Sequence, residues 1–194
     1  MKTGNYIFTT LSATALLLMT GMSQLATASD PQPFEGLASL CAIDPTTVET
    51  VTRGKGVVVE VNPVELYRIE TDSDLVTGWE VTTAMYKTTK SGKKYYMGTA
   101  TLTPDGYDGK DTLKDNFNLL QDGSLPAGTW EGTGDLNGVT VDYQLIPYLP
   151  GGDPAVLEQM CAEAHPYCET GVCEPMAGVW GWSISGVVYD DRDE

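Results

Sequence analysis

AGTWEGTGDLNGVTVDYQLI, residues 127–146, reads as two strands folding back on each other. Thr129, Glu131 and Thr133 alternate with Trp130 and with glycines. Beyond Asn137-Gly138, Val139, Val141, Tyr143 and Leu145 alternate with Thr140, Asp142 and Gln144. A period of two is that of a half-buried strand. Asn-Gly tolerates positive φ at both central positions of a tight turn, so the stretch predicts a hairpin closed at 137–138.

The same pattern extends to either side. The β-branched run GVVVEV, 56–61, ends at Asn62-Pro63, and 66–71 forms a short companion strand. Residues 79–88 and 94–103 are longer strands joined through Lys90-Ser91-Gly92-Lys93, a connection whose length suits a hairpin. Thr103-Pro104-Asp105-Gly106 carries turn chemistry, 112–120 is a further strand, and 179–189 is the last, with Trp180 and Trp182 on one face. Two segments carry helical signals, and the expected helix is the later one. One is short, over 37–43; the other opens at Asp153-Pro154, with Asp as cap and Pro at the first helical position, and stops at His165 before Pro166. About eight strands with turn signals every eight to twelve residues make the chain all-β. Short up-and-down connections favour an antiparallel barrel of about eight strands, with a β-sandwich as the alternative and one short late helix plugging or crossing it.

Residues 1–28 carry Lys2, an apolar stretch over 13–19 and the ending Ala26-Thr27-Ala28, the pattern of a secretory signal peptide. Its apolar part is far shorter than the roughly 20 residues that cross a bilayer, and no Cys follows it directly, so no membrane anchor is expected. Residues 29–194 then form a single barrel domain, secreted or periplasmic, with loose termini at 29–36 and 190–194. The formal net charge is −16, and the leader holds one Lys and no acid, so its removal takes the charge to about −17. Such an acidic protein repels DNA, RNA and anionic lipid, which excludes nucleic acid as a partner.

Chemistry is concentrated at Cys161-x3-His165-x2-Cys168-x4-Cys173, with Cys41 far upstream. An even cysteine count in an oxidising compartment means two disulfides among Cys41, Cys161, Cys168 and Cys173. Three pairings exist; Cys161–Cys168 with Cys41–Cys173 is slightly favoured for its small loop. The competing zinc set of three cysteines and His165 fits tetrahedral spacing but strands Cys41, so neither a metal nor another cofactor is expected. The acidic loop 105–111 lacks the spacing of a calcium loop and reads as a solvated turn. No catalytic residue can be nominated: one His and no G-x-S-x-G elbow leave nucleophilic catalysis unsupported, and Glu131 with Asp142 is only a background acid pair.

Residues 128–138, GTWEGTGDLNG, resemble the G-x-W and GTG-x-x-x-G strand-turn patterns of small secreted antiparallel barrels, namely avidin-like and lipocalin-like proteins and the dirigent and allene oxide cyclase barrels. The resemblance implies the architecture alone. It covers a small part of the chain, lipocalins carry the matching tryptophan on their first strand, and no functional residue carries over.

Eight aromatic residues fall on expected strands: Trp79, Tyr86, Tyr95, Tyr96, Trp130, Tyr143, Trp180 and Trp182. The simplest expectation is that those turned inward fill the core. A hollow interior would instead hold one small apolar or aromatic ligand near Trp130, Tyr143 and Trp180. Binding of such a ligand is the leading function; a barrel-type lyase, isomerase or hydrolase and a structural or envelope interaction protein are the alternatives. Oligomeric state is not legible. N-terminal sequencing of the exported protein is expected to start at Ser29, and a chain still beginning at Met1 would contradict the leader.

Overall fold

The computed structural model describes residues 30–53, 57–149, 151–163, 165, 167–168 and 172–192; the leader and its cleavage point at 28–29 lie outside them. The chain is all-β with one short helix. Its strands are β1 (Gln32–Asp44), β2 (Glu49–Arg53), β3 (Val57–Val61), β4 (Val64–Thr71), β5 (Gly78–Thr88), β6 (Lys94–Pro104), β7 (Leu113–Leu120), β8 (Ala127–Gly132), β9 (Val139–Pro147), β10 (Glu174–Pro175) and β11 (Gly181–Asp190), with helix α1 (Pro154–Met160) between β9 and β10.

Eight of these strands close a barrel. β1, β4, β5, β6, β7, β8, β9 and β11 pair in that order, every pair antiparallel, and β11 returns to β1 from Gln32↔Val188 to Ser39↔Gly181. The β2–β3 hairpin extends the sheet beside the end of β5, and β10 adds a short rung to β1. Closure removes the free edges that an open sheet would present.

The two ends of the barrel differ. At one, the turns over 72–77, 105–112 and 133–138 fold inward, and Val76, Leu102, Leu113, Leu136 and Val139 are fully buried against Phe34 and Val188. This end is packed solid. The connections over 89–93 and 121–126 stand at the other end, where β9 ends and β11 begins.

Several expectations are corrected. The connection from β8 to β9 is not a two-residue Asn-Gly turn: a 3-10 turn at Gly134–Leu136 intervenes, and of the Asn-Gly pair Asn137 has φ −60° while Gly138, at +100°, has positive φ. A type I′ turn needs positive φ at both positions. The longer connection lets Leu136 drop into the barrel end as a plug. Residues 37–43 lie in β1, not a helix, because that strand is covered on both faces: Ala38 and Leu40 face the interior while α1 packs outside. A strand buried on both sides loses its alternation. The amino-terminal segment is likewise ordered from Gln32, with Phe34 buried beneath Gly186. At the other terminus Asp190 ends β11 and Arg192 bonds its carboxylate at 2.7 Å, while 193–194 lie outside the described residues.

Helix α1 starts as expected, the Asp153 carboxylate accepting from the Ala155 N–H at 3.0 Å, but stops at Met160. It crosses the outside of the barrel: the Ser39 hydroxyl donates to the Leu157 carbonyl at 3.1 Å, and Leu157 packs on Gly181. The disulfides are Cys41–Cys161 and Cys168–Cys173, not the favoured pairing. Seating α1 on β1 brings Cys161 to Cys41, with Cα atoms 5.3 Å apart, within normal bridging distance. All four thiols are thereby used, so the zinc set is not assembled. His165 instead packs edge-on against Trp79 at 5.2 Å and accepts the Tyr167 N–H on Nδ1 at 3.0 Å. Asp105 of the acidic loop forms a two-pronged ion pair with Arg68, at 2.7 and 2.6 Å.

The pairings have different energetic weight. Cys41–Cys161 spans 120 residues and Cys168–Cys173 only 5, so chain entropy assigns them about 4–5 and about 2 kcal/mol respectively. Replacing Cys41 and Cys161 together by Ala is expected to cost about twice as much unfolding free energy as replacing Cys168 and Cys173, read by denaturant titration. Peptide mapping that found Cys41 linked to Cys173 would contradict the arrangement.

Candidate ligand-binding site

Past the layer of Trp130, Ala38 and Ile184 the barrel is hollow. A cavity of about 380 Å³ runs from these residues toward the mouth, within the size range of small-molecule pockets. Its walls follow from strand alternation. β5 turns Glu80, Thr82 and Tyr86 inward; β6 turns Ala100 and Tyr96; β7 turns Phe117 and Leu119; β9 turns Tyr143 and Leu145. Small residues opposite small ones keep the space open: Ala100 stands across from Thr82, and Gly98 across from Ala84.

Trp130, Tyr143 and Trp180, the three residues singled out in the sequence, all lie on this wall. Trp130 pairs with Val141 and Gly128 with Tyr143, so Trp130 and Tyr143 are diagonal neighbours, and their rings stack with centroids 4.1 Å apart. Gly128 is required here, since a Cβ on it would strike the Asp115 carboxylate and the Tyr143 hydroxyl. Trp180 sits at the mouth, half exposed, just before β11, with Trp182 edge-on to it at 5.8 Å. A second aromatic row, Tyr86, Tyr96 and Phe117, lines the far wall with centroids 5.0 and 5.2 Å apart. Trp79 instead faces outward, where it meets Arg68 and His165.

The sequence reading missed the acids. Glu80 is buried, and its Oε1 accepts from the Thr82 hydroxyl at 2.7 Å. Glu65 Oε2 accepts from the hydroxyls of Tyr67 at 3.0 Å and Tyr96 at 3.4 Å. Asp115 Oδ2 accepts from the Tyr143 hydroxyl at 2.7 Å. Each shares the inward phase of apolar neighbours: Glu65 with Tyr67 and Ile69, Glu80 with Thr82 and Ala84, Asp115 with Leu113 and Phe117. That phase was the available signal: an acid in step with the core side of an alternating strand. By contrast Glu131 and Asp142 are on the outer face, where Asp142 accepts from Thr129 at 2.7 Å.

Burial dominates the electrostatics. Removal from water pushes the Glu80 carboxyl up to about 7, against the lowering effect of Thr82 and with help from the charges of Glu65 and Asp115. Burial likewise raises Glu65 and Asp115, opposed by their tyrosine hydroxyls, and raises Tyr67, Tyr96 and Tyr143 above the ordinary phenol range. No Lys, Arg or His is among the described residues that line the cavity. The Trp130 Nε1–H is buried without a hydrogen-bond partner among the described residues, an uncommon state for a buried indole. No group of three or more metal-ligating side chains occurs among the described residues.

Comparison of the chain with protein-family models, curated proteins and solved structures finds no match.

The raised carboxyl has a stability consequence. Glu80 binds its proton more tightly folded than unfolded, so its contribution is complete below about pH 4.5 and is lost as pH rises through about 7. Glu80→Gln is expected to raise the unfolding free energy relative to wild type by on the order of 3 kcal/mol above neutrality, and to change it little near about pH 4. Acids whose values are lowered by hydrogen bonds, such as Asp44 and Asp122, act with opposite sign but cancel in this difference. Denaturant unfolding of both proteins at the two pH values checks it; an equal difference at both would contradict it.

Proposed function

We propose that this chain is a secreted or periplasmic barrel that binds one small, largely aromatic or apolar molecule in its interior. The observation that carries the reading is the cavity itself: about 380 Å³, walled by two rows of aromatic rings, in a barrel whose opposite end is packed solid. Aromatic walls with a few hydroxyl and carboxyl groups are the mixture small-ligand sites use. Leu125, Ile146, Val179 and Trp180 are exposed apolar residues at the mouth, where a ligand would enter. Two disulfides fit an oxidising compartment, and no described helix is long and apolar enough to cross a membrane.

One observation favours a second reading. Glu80, with a carboxyl at about 7 inside an aromatic chamber, has the protonation behaviour of a general acid or base, as a barrel-type lyase or isomerase would need. Recovering the bound compound chemically unchanged separates binding from turnover.

Three of the four tryptophans line the cavity, so intrinsic fluorescence reports occupancy directly. Titration with neutral aromatic and apolar compounds is expected to shift the emission saturably. Trp130→Ala should abolish the response at a cost of about 3–5 kcal/mol of stability, while Trp180→Ala should weaken binding with little change in stability because the ring is half exposed. A folded protein that answers no compound would overturn the reading.

A further inference from the structure

The lining of the cavity is one-signed. Glu65 and Glu80 stand on its wall and Asp115 lies just behind the Tyr143 hydroxyl, while its described lining has no basic side chain. Lys94 is at the mouth, its Nζ 4.1 Å from the Tyr86 ring centroid and 3.9 Å from Glu60 Oε2. Among the described residues these acids have only hydroxyl donors. Glu80, deepest of the three, has the Thr82 hydroxyl as its one hydrogen bond among the described residues. Buried carboxyls of this kind are costly to the fold unless a counter-charge accompanies them. Aromatic faces around a carboxylate are the setting in which an organic cation gains both an ion pair and ring-quadrupole attraction. Trp130 Nε1, buried and unpartnered on the same wall, adds a donor for an acceptor atom of the same molecule.

We propose that the cavity selects a protonated amine on an aromatic or apolar body, with Glu80 as its counter-charge and the surrounding rings as its cage. The inference rests on the ligand-binding reading above and narrows it to a chemical class. Glu80 is set to respond to such a ligand. Its carboxyl is pushed up by burial, and the titratable groups facing it are Glu65 and Tyr67 from β4, Tyr96 from β6, Asp115 from β7 and Tyr143 from β9; β1 and β11 line the cavity with Ala38, Ile184 and Trp182, which carry no titratable group. Near neutrality the carboxyl is about half protonated in the empty protein and more so at lower pH, and an ammonium group entering beside it holds it ionised. A fraction of a proton then leaves to solvent for each cation bound, equal to the protonated fraction of the empty carboxyl and approaching one as the pH falls below about 7. Affinity for the cation therefore rises with pH across the titration of Glu80, and affinity for an uncharged analogue does not.

Phenethylamine and phenethyl alcohol, alike in shape and different in charge, test this on the disulfide-intact protein. The amine is expected to bind at least about tenfold more tightly near about pH 8, the difference a single charge-assisted hydrogen bond supports. Its advantage should shrink as the pH is lowered toward 5.5, and Glu80→Gln should bring the ratio of the two affinities toward one. Calorimetry of the unaltered protein near about pH 6.5, in two buffers of different ionisation enthalpy, should show proton release with the amine and none with the alcohol; this readout stands even if the variant fails to fold. Alcohol bound as tightly as amine, or amine bound without proton release, would overturn the inference and leave the ligand-binding reading in place. Failure of both compounds to bind would overturn both.

Discussion

Pairing of β11 with β1 is the constraint from which the rest follows. Once Gln32–Ser39 bonds to Gly181–Val188, the sheet has a fixed circumference, and every inward side chain must share one limited interior. At one end that interior is filled by Val76, Leu102, Leu113, Leu136 and Val139. At the other, Ala100 and Gly98 provide too little volume to meet the rings of Tyr86, Tyr96 and Tyr143, so the same circumference encloses space. The cavity is a result of residue sizes on a closed sheet. No moving part is needed to form it.

Structure and site make opposite demands on the interior. The packed end supplies apolar burial, the dominant stabilising contribution in a domain of this size. The hollow end holds Glu65, Glu80 and Asp115, which oppose folding when ionised. Stability has to come from elsewhere, and the outside of the barrel provides it: α1 covers β1 and β4, burying Leu157 and Leu66, and Cys41–Cys161 ties the helix to the strand beneath. The strand it clamps is β1, on which closure depends. The cost of these acids to the fold is what the proposed ligand-binding role would account for.

Much of the fold was legible because antiparallel strands with one wet face announce themselves by alternation. β5 and β6, joined through Lys90–Lys93, and the inward set of β9 were plain in the residues. Where the physics departed from that rule, legibility failed. β1 carries apolar residues on both faces, since a helix lies across its outer side, and so resembled a short helix. The Asn137-Gly138 dipeptide suggested a tight turn, but Leu136 had to reach the core, which lengthened the connection. Disulfide pairing depended on where α1 docks, a tertiary fact with no local signature. Of the site, Trp130, Tyr143 and Trp180 could be picked out by size and position. The acids could not be separated from the many that solvate the surface without knowing which phase of each strand faces inward.

Glu80 is a carboxyl group inside a cavity whose described lining holds no basic side chain. Its protonation is directly observable by following the side-chain carboxyl carbon through a pH titration by NMR, with Glu80→Gln to assign the resonance. The expected midpoint is about 7. A midpoint at the ordinary 4.5 of a glutamate would mean that the group is solvated or paired with a cation, and would contradict the enclosed, acidic chamber.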